Sequence, residues 1–371
     1  MKIICSKSNL VSGVNTVLKA VPGKTTMPIL ECILIDATTN QIKFTTNDME
    51  LGIETIVDGN IAEKGMVALD AKIFYEIIRR LPDNDVTIKT DDKFTATITC
   101  EKAKFNIPGK SGEDFAYLPL IEREESLTIS QYTLKEMIRQ TIFSIAVNEN
   151  NKLMTGELFE IKDNCLKVVS LDGHRIAIRK MPLKRTYSDR KVVVPGKTLN
   201  EISKILSGEM DDMVSIFFTK NHILFEFDQT MVVSRLIEGE YFRIEQMLSS
   251  DYETKLSINK KEFLDCIDRA TLLVREGDKK PIIIHITDNN MELKIDSAMG
   301  SMNEDIDIEK EGKDILIGFN PKFLIDALKV IDDEIINIYL VNPKAPCFIR
   351  DDEENYTYLI LPVNINQNQA R

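Results

Sequence analysis

Of the three histidines in this chain, one, His174, stands between Asp172 and Arg175 in the string SLDGHRIAIRKMPL. A carboxylate, an imidazole and a guanidinium within four residues have the chemistry to move a proton. The other two, His222 and His285, lie far off, and no HExxH spacing, GxSxG elbow, P-loop or GxGxxG cradle accompanies them. Asp48, in TNDMELGI, occupies the place of Asp172 in an earlier, similar stretch. A carboxylate recurring at equivalent bends points to a turn or cap, not to catalysis. Cys5, Cys32, Cys100, Cys165, Cys266 and Cys347 stand singly among apolar neighbours, without CxxC or a nearby histidine. They read as small buried hydrophobes. The chain is expected to be no enzyme and to carry no cofactor and no metal.

The elements that would position such residues recur. IICSKSNLVSGVNTVLKAV from Ile3, LTISQYTLKEMIRQTIFSI from Leu127 and LSINKKEFLDCIDRATLLV from Leu256 each open with a short strand and continue as an amphipathic helix. Leu10, Leu134 and Phe263 share one helical position, and Val14, Ile138 and Ile267 the position four later, so one face is apolar in all three. Ser8, Ser130 and Asn259 are the expected N-caps. A second helix recurs at an offset of 125 residues: LDAKIFYEIIRRL from Leu69, VPGKTLNEISKIL from Val194 and FNPKFLIDALKVI from Phe319. It aligns Lys72, Lys197 and Lys322, and equally Phe74, Leu199 and Leu324. Short alternating strands such as QIKFTTND, CLKVVSLD and MELKIDSA lie between the helices. The expectation is an α+β chain of three repeated domains, residues 1–124, 125–251 and 252–371. Each is a duplicated β-α-β-β-β unit with two helices on one face of an antiparallel sheet whose other face meets solvent.

With 371 residues, 43% of them hydrophobic and 29% charged, each repeat can build its own core. No apolar run is long enough to span a membrane and no leader-like segment opens the chain, so a cytoplasmic location is expected. The formal charge of −12 argues against nucleic acid until its distribution is considered. The six helical segments carry +7, leaving −19 for the rest. A basic helical layer on an acidic chain suits many weak phosphate contacts. An alternative is a protein-only scaffold whose basic helices meet acidic partners.

SLDGHRIAIRKMPL also resembles the (T/S)-x-D-G-H-R-(L/I)-A signature of the bacterial DNA polymerase III β subunit family. MPILECILI, TNDMELGI, GELFEI, VVVPGKTLNEI, LIEGEYF, IGFNPKFLIDAL and YLILPV follow in that family's order along the whole length. The resemblance implies three DNA-clamp domains per chain. A head-to-tail homodimer would close a six-domain ring with helices inside, threaded by duplex DNA and used by the replicative polymerase, the clamp loader and other clamp-binding proteins. Twelve helices spaced about 8–10 Å apart give a circle of axes roughly 34 Å across. Taking off a helix diameter of about 10 Å leaves room for a duplex.

The resemblance also implies residue roles. Lys24, Asn148, Lys152 and Leu153 fall at DNA-contacting positions, although the family pattern has aromatic residues where this chain has Lys152 and Leu153. The basic helices add Lys72, Arg79, Arg80 and Lys197. A pocket for a partner's peptide is implied at Met154, Leu171, Gly173, His174, Arg175 and Ile176. Its other side is Phe242, Met247, Asn320 and Phe323, together with Ile360, Leu361, Pro362 and Val363. Tyr241–Ile244 departs from a common Phe-Pro-Asp-Tyr, and Lys344 replaces a small apolar residue. A dimer seam is implied between Phe105 and Ile107, on an edge strand, and Leu272 and Leu273 of a second copy.

Overall fold

The structure, a computed structural model, describes residues 1–147, 150–248, 251–275 and 280–365. Six α-helices lie among the described residues: α1 (Lys7–Val17), α2 (Ala71–Arg80), α3 (Gln131–Arg139), α4 (Gly196–Ile205), α5 (Lys260–Thr271) and α6 (Pro321–Leu328). Lys72, Lys197 and Lys322 are each the second residue of their helix. The shared apolar positions face inward: Leu10, Leu134, Phe263, Val14, Ile138 and Ile267 are all buried, as are Phe74, Leu199 and Leu324. Of the expected caps, Asn259 accepts from the Glu262 N–H and Ser130 from the Thr133 N–H. The first helix differs. Ser6, not Ser8, accepts from the Asn9 N–H, because the helix starts at Lys7 and takes Ser8 into its first turn.

Contacts gather the chain into two units. The first is Met1–Lys135 with Asn200–Leu236, and the second Glu136–Leu199 with Ile237–Arg371. The first unit holds a five-stranded sheet in the order Asn60–Glu63, Lys2–Ser6, Asp85–Thr90, Ala96–Cys100, Ala103–Ile107. Its nine-stranded sheet runs Gly109–Lys110, Met66–Asp70, Cys32–Asp36, Ile42–Asn47, Leu51–Val57, Thr230–Arg235, His222–Phe227, Met213–Phe218, Ser126–Ser130. α1 packs on α2 and on the strands Ile42–Asn47 and Leu51–Val57. Gly13 permits that approach, since a Cβ there would lie 2.4 Å from the Val57 side chain.

The second unit holds a nine-stranded sheet in the order Arg190–Pro195, Gly156–Lys162, Cys165–Leu171, Arg175–Pro182, Tyr356–Ile360, Cys347–Arg350, Ile335–Leu340, Thr254–Asn259, Glu309–Gly312. A four-stranded sheet runs Gly300–Asp307, Asn290–Ser297, Ile282–Thr287, Ile315–Phe319. Every strand pair described is antiparallel, as alternating sequences with short turns require. The middle repeat therefore divides its strands between two continuous sheets, and backbone pairing groups the chain differently from sequence period.

The faces away from the helices are not simply wet, which corrects the one-sided picture. Phe115 packs on Cys32, Leu34 and Ala68, and Ile121 on Phe217, Leu224 and Val233. In the second unit Tyr241 and Ile244 join Leu158, Val169 and Leu171. The closing segments of the first and middle repeats thus cover part of each outer face, because the apolar residues they carry need burial. Five of the six cysteines are buried and Cys165 is half-buried. No helix among the described residues is long and apolar enough to cross a membrane.

Candidate functional site

The Asp-Gly-His-Arg turn is built by its carboxylate. Asp172 Oδ1 accepts the N–H groups of His174 (3.0 Å) and Arg175 (3.2 Å). Asp48 Oδ1 does the same for Glu50 (3.0 Å) and Leu51 (2.7 Å). Both turns need a left-handed residue in second place, supplied by Gly173 (φ 87°) and by Met49 (φ 76°). Both aspartates are turn-formers, as their recurrence predicts.

Arg175 is 6% exposed and its guanidinium is engaged on every side. Nε donates to Asp172 Oδ2 (2.9 Å), Nη1 to Asp326 Oδ2 (2.8 Å) and Nη2 to the Phe143 carbonyl (2.6 Å). The Phe323 ring lies 4.4 Å from the guanidinium carbon. Burial disfavours the charge, but the hydrogen bond to Asp326 and its neighbours hold the proton more firmly than usual. With its donors so used, Arg175 braces the turn from within; the sequence-based expectation that it orients a ligand does not match this geometry. His174 is exposed and stacks on Phe323, with ring centroids 6.1 Å apart.

Around this turn the pocket residues fall on two faces of one sheet, as the two-residue period of a strand dictates. Leu171 and Ile176 are buried in one apolar cluster, with Met154 and Phe242 half-buried against it. Ile360 is fully buried in the opposite cluster, onto which Phe323 packs, so it is core and no part of an open wall. Beyond Ile360 the chain is pinned by the Leu361 N–H to the His174 carbonyl (2.9 Å) and the Val363 N–H to the Gly318 carbonyl (2.8 Å). Leu361, Val363 and Met247 are exposed and Pro362 is half-exposed, with Leu361 held beside His174 by its hydrogen bond. Asn320 caps α6, accepting from the Lys322 N–H at 3.1 Å. Lys344 is exposed.

Two inward polar groups escape the sequence reading. Tyr241 donates to the Val169 carbonyl (3.3 Å) beneath the Met154 and Phe242 wall. Glu157 is wholly buried, and neither carboxylate oxygen has a hydrogen-bond partner. Burial raises its pKa to about 8 against the lowering influence of the nearby Thr141 hydroxyl, which donates to the Met137 carbonyl. The signal was present: Glu157 shares a strand face with Phe159 and Ile161, both buried.

On the helices Lys72, Arg79, Arg80 and Lys197 are exposed, and Arg79 and Arg80 both pair with Glu76, at 2.7 and 2.8 Å. Lys24 is exposed in its loop and Lys152 is exposed at the start of a short 3-10 helix, Lys152–Thr155. Leu153 turns inward instead, packing against Gly239 and the Leu171 cluster. Asn148 lies outside the described residues. Of the seam residues, Phe105 and Leu272 are 41% and 75% exposed, whereas Ile107 is buried and Leu273 packs on the core of its own unit. Among the described residues no three His, Cys, Asp or Glu side chains converge as metal ligands would.

Comparison with known proteins accounts for the repeat. Family models for the DNA polymerase III beta subunit match in chain order: the N-terminal domain over residues 1–119, the central domain over 128–242 and the C-terminal domain over 245–364. A crystal structure described as a putative DNA polymerase III beta subunit from Eubacterium rectale is 71% identical, with a TM-score of 0.96 over 98% of this chain and 100% of that one. The DNA polymerase sliding clamp of Bacillus subtilis is 34% identical, with a TM-score of 0.95 over 99% and 100%. The beta sliding clamp of Staphylococcus aureus is 35% identical over 374 residues, 98% of this chain and 99% of that protein. The chain belongs to the DNA polymerase III beta subunit family, the beta sliding clamps.

Proposed function

We propose that two copies of this chain close head to tail around duplex DNA and slide along it, tethering the replicative polymerase and other DNA enzymes without catalysing a reaction. The repeat boundaries we propose are 124/125 and 251/252. The observation that carries the reading is the exposed lysine recurring at the same helical position in all three repeats, at residues 72, 197 and 322, on a chain of net charge −12. A cation repeated with the fold suits a partner met equally by every repeat and read by none. Phosphate contacts of this kind are electrostatic, individually weak and sequence-independent.

Lys24, Lys72, Arg79, Arg80, Lys152 and Lys197 are the proposed phosphate contacts. Partner peptides would lie over the Met154, Leu171, Ile176 and Phe242 cluster, against the Leu361–Val363 rim and His174. Methionine at the mouth suits several apolar anchors. The seam would set Phe105 of one copy near Leu272 of the other. The ring itself is tested by loading the protein on nicked circular DNA and then linearising it. Loss of bound protein on linearisation is expected, and equal retention on both forms would overturn the ring. The pocket is tested separately by Met154→Arg, expected to abolish binding of a polymerase C-terminal peptide while the dimer persists.

A further inference from the structure

The Asp-Gly-His-Arg turn is unsupported at its tip, where a Cβ built on Gly173 would meet no atom within 4 Å. Its place is set from within. Asp172 ties the His174 and Arg175 N–H groups through Oδ1 and the Arg175 Nε through Oδ2. Arg175 is held in turn by α6, a helix of the C-terminal domain, whereas the turn belongs to the central one. α6 is itself fixed at three successive points. Asn320 caps it, the Phe323 carbonyl accepts from the Tyr358 hydroxyl (2.8 Å), and Asp326 Oδ2 accepts from Arg175 Nη1 (2.8 Å).

Phe323 and Asp326 stand three residues apart and so share one helix face. Between them they fix both side chains of the turn: the Phe323 ring lies 4.4 Å from the guanidinium carbon and stacks on the His174 ring at an interplanar angle of 26°. The Asp326 side chain is 25% exposed, and among the described residues its carboxylate pairs with Arg175 alone. Without that carboxylate Arg175 keeps Asp172 as counter-charge but loses the contact that fixes the far side of its guanidinium. Asp172 and His174 would then move with it, since nothing outside the turn restrains them. A displacement of about 1 Å is enough to loosen a binding site.

We infer that Asp326 is a positioning residue for the partner pocket: acting through Arg175 and Asp172, it sets the His174 ring in place without touching the bound peptide. The inference rests on the pocket reading given above. It makes the pocket complete only when α6 of the C-terminal domain is seated against the turn of the central domain, so that a bound partner and a seated helix favour each other.

The test is binding of the polymerase C-terminal peptide to the full-length protein, followed by fluorescence anisotropy. Asp326→Ala should weaken binding about tenfold, the scale of one lost charge-assisted hydrogen bond. Asp326→Asn, which keeps an acceptor oxygen in place, should bind nearly as the unaltered protein does. Asp332→Ala breaks an ion pair of the same length, with Arg139 at 2.8 Å, beyond the other end of α6, and should leave binding unchanged. In NMR spectra the ring signal of His174, identified by its loss in His174→Gln, should move in Asp326→Ala and stay in place in Asp332→Ala. Asp326→Ser, too short to reach Arg175, repeats both measurements if the alanine variant does not fold. Met154→Arg tells two failures apart. If it too binds the peptide unchanged, the pocket is misplaced and the inference falls with it. If it abolishes binding while Asp326→Ala binds unchanged, the positioning role alone falls. An equal loss in Asp332→Ala, or a His174 signal that does not move in Asp326→Ala, would overturn it as well.

Discussion

Arg175 holds two carboxylates and a carbonyl that no other side chain replaces in its hydrogen bonds. Arg175→Met should therefore cost about 3 kcal/mol, since removing one partner of a buried ion pair strands the other. Urea unfolding would measure it, and a change below about 1 kcal/mol would show that water satisfies Asp326 equally well. Glu157 presents the opposite case, an acid held neutral by its surroundings. Its pKa rises from 4.5 to about 8 on folding, so the folded state keeps a proton that the unfolded chain releases. The linked stability is fully present below the unfolded value and is lost as pH rises through the folded one. Glu157→Leu should raise the melting temperature more at about pH 8 than at about pH 5 and flatten the decline between them. The aspartate turns were legible because Asp48 and Asp172 recur. The bracing role of Arg175 was not, because Phe143 and Asp326 reach it from distant segments and neither carries a local signal.

Among elements, the helices were the most legible part of the chain, for two independent periods coincide there, the helical turn and the 125-residue offset. The cap of α1 was misplaced by two residues because both Ser6 and Ser8 are good caps and only the start at Lys7 distinguishes them. The covering of the outer sheet faces was missed for a different reason. Phe115 and Tyr241 are large and apolar but follow no strand or helix period, so nothing local shows which sheet face they cover. The helix end at the proposed seam separates two effects that a double substitution confounds. Leu272 is 75% exposed and Leu273 packs on its own core. Leu272→Ala alone should loosen the dimer, measured by sedimentation at low concentration, with the melting temperature of the fold nearly unchanged. Leu273→Ala should lower both.

At the scale of the molecule the proposed phosphate contacts, the repeated lysines and loop cations, would act only in sum. Each phosphate contact contributes about 0.9 to the slope of log affinity against log salt. Lys24→Ala with Lys152→Ala should thus flatten that slope by about 2 per copy and leave sequence preference absent in both proteins. A slope unchanged in the double variant would remove these two residues from the DNA surface.

The sheets have a further implication when their strands are treated as units with a valence. Leu51–Val57 and Arg175–Pro182 close the first halves of the first and middle repeats, and each pairs with the strand closing the second half of the next: Thr230–Arg235 and Tyr356–Ile360. By the same rule Gly300–Asp307, which closes the first half of the third repeat, should pair with Ala103–Ile107, which closes the second half of the first. Within the chain both are sheet edges, one on the four-stranded and one on the five-stranded sheet, and joining them would complete a third sheet of nine. The single chain is thus bivalent, with one open bond of each kind. Two copies saturate each other, while any change that tilts the bond away from closure leaves a monomer able to add end to end, turning a ring-former into a fibre-former.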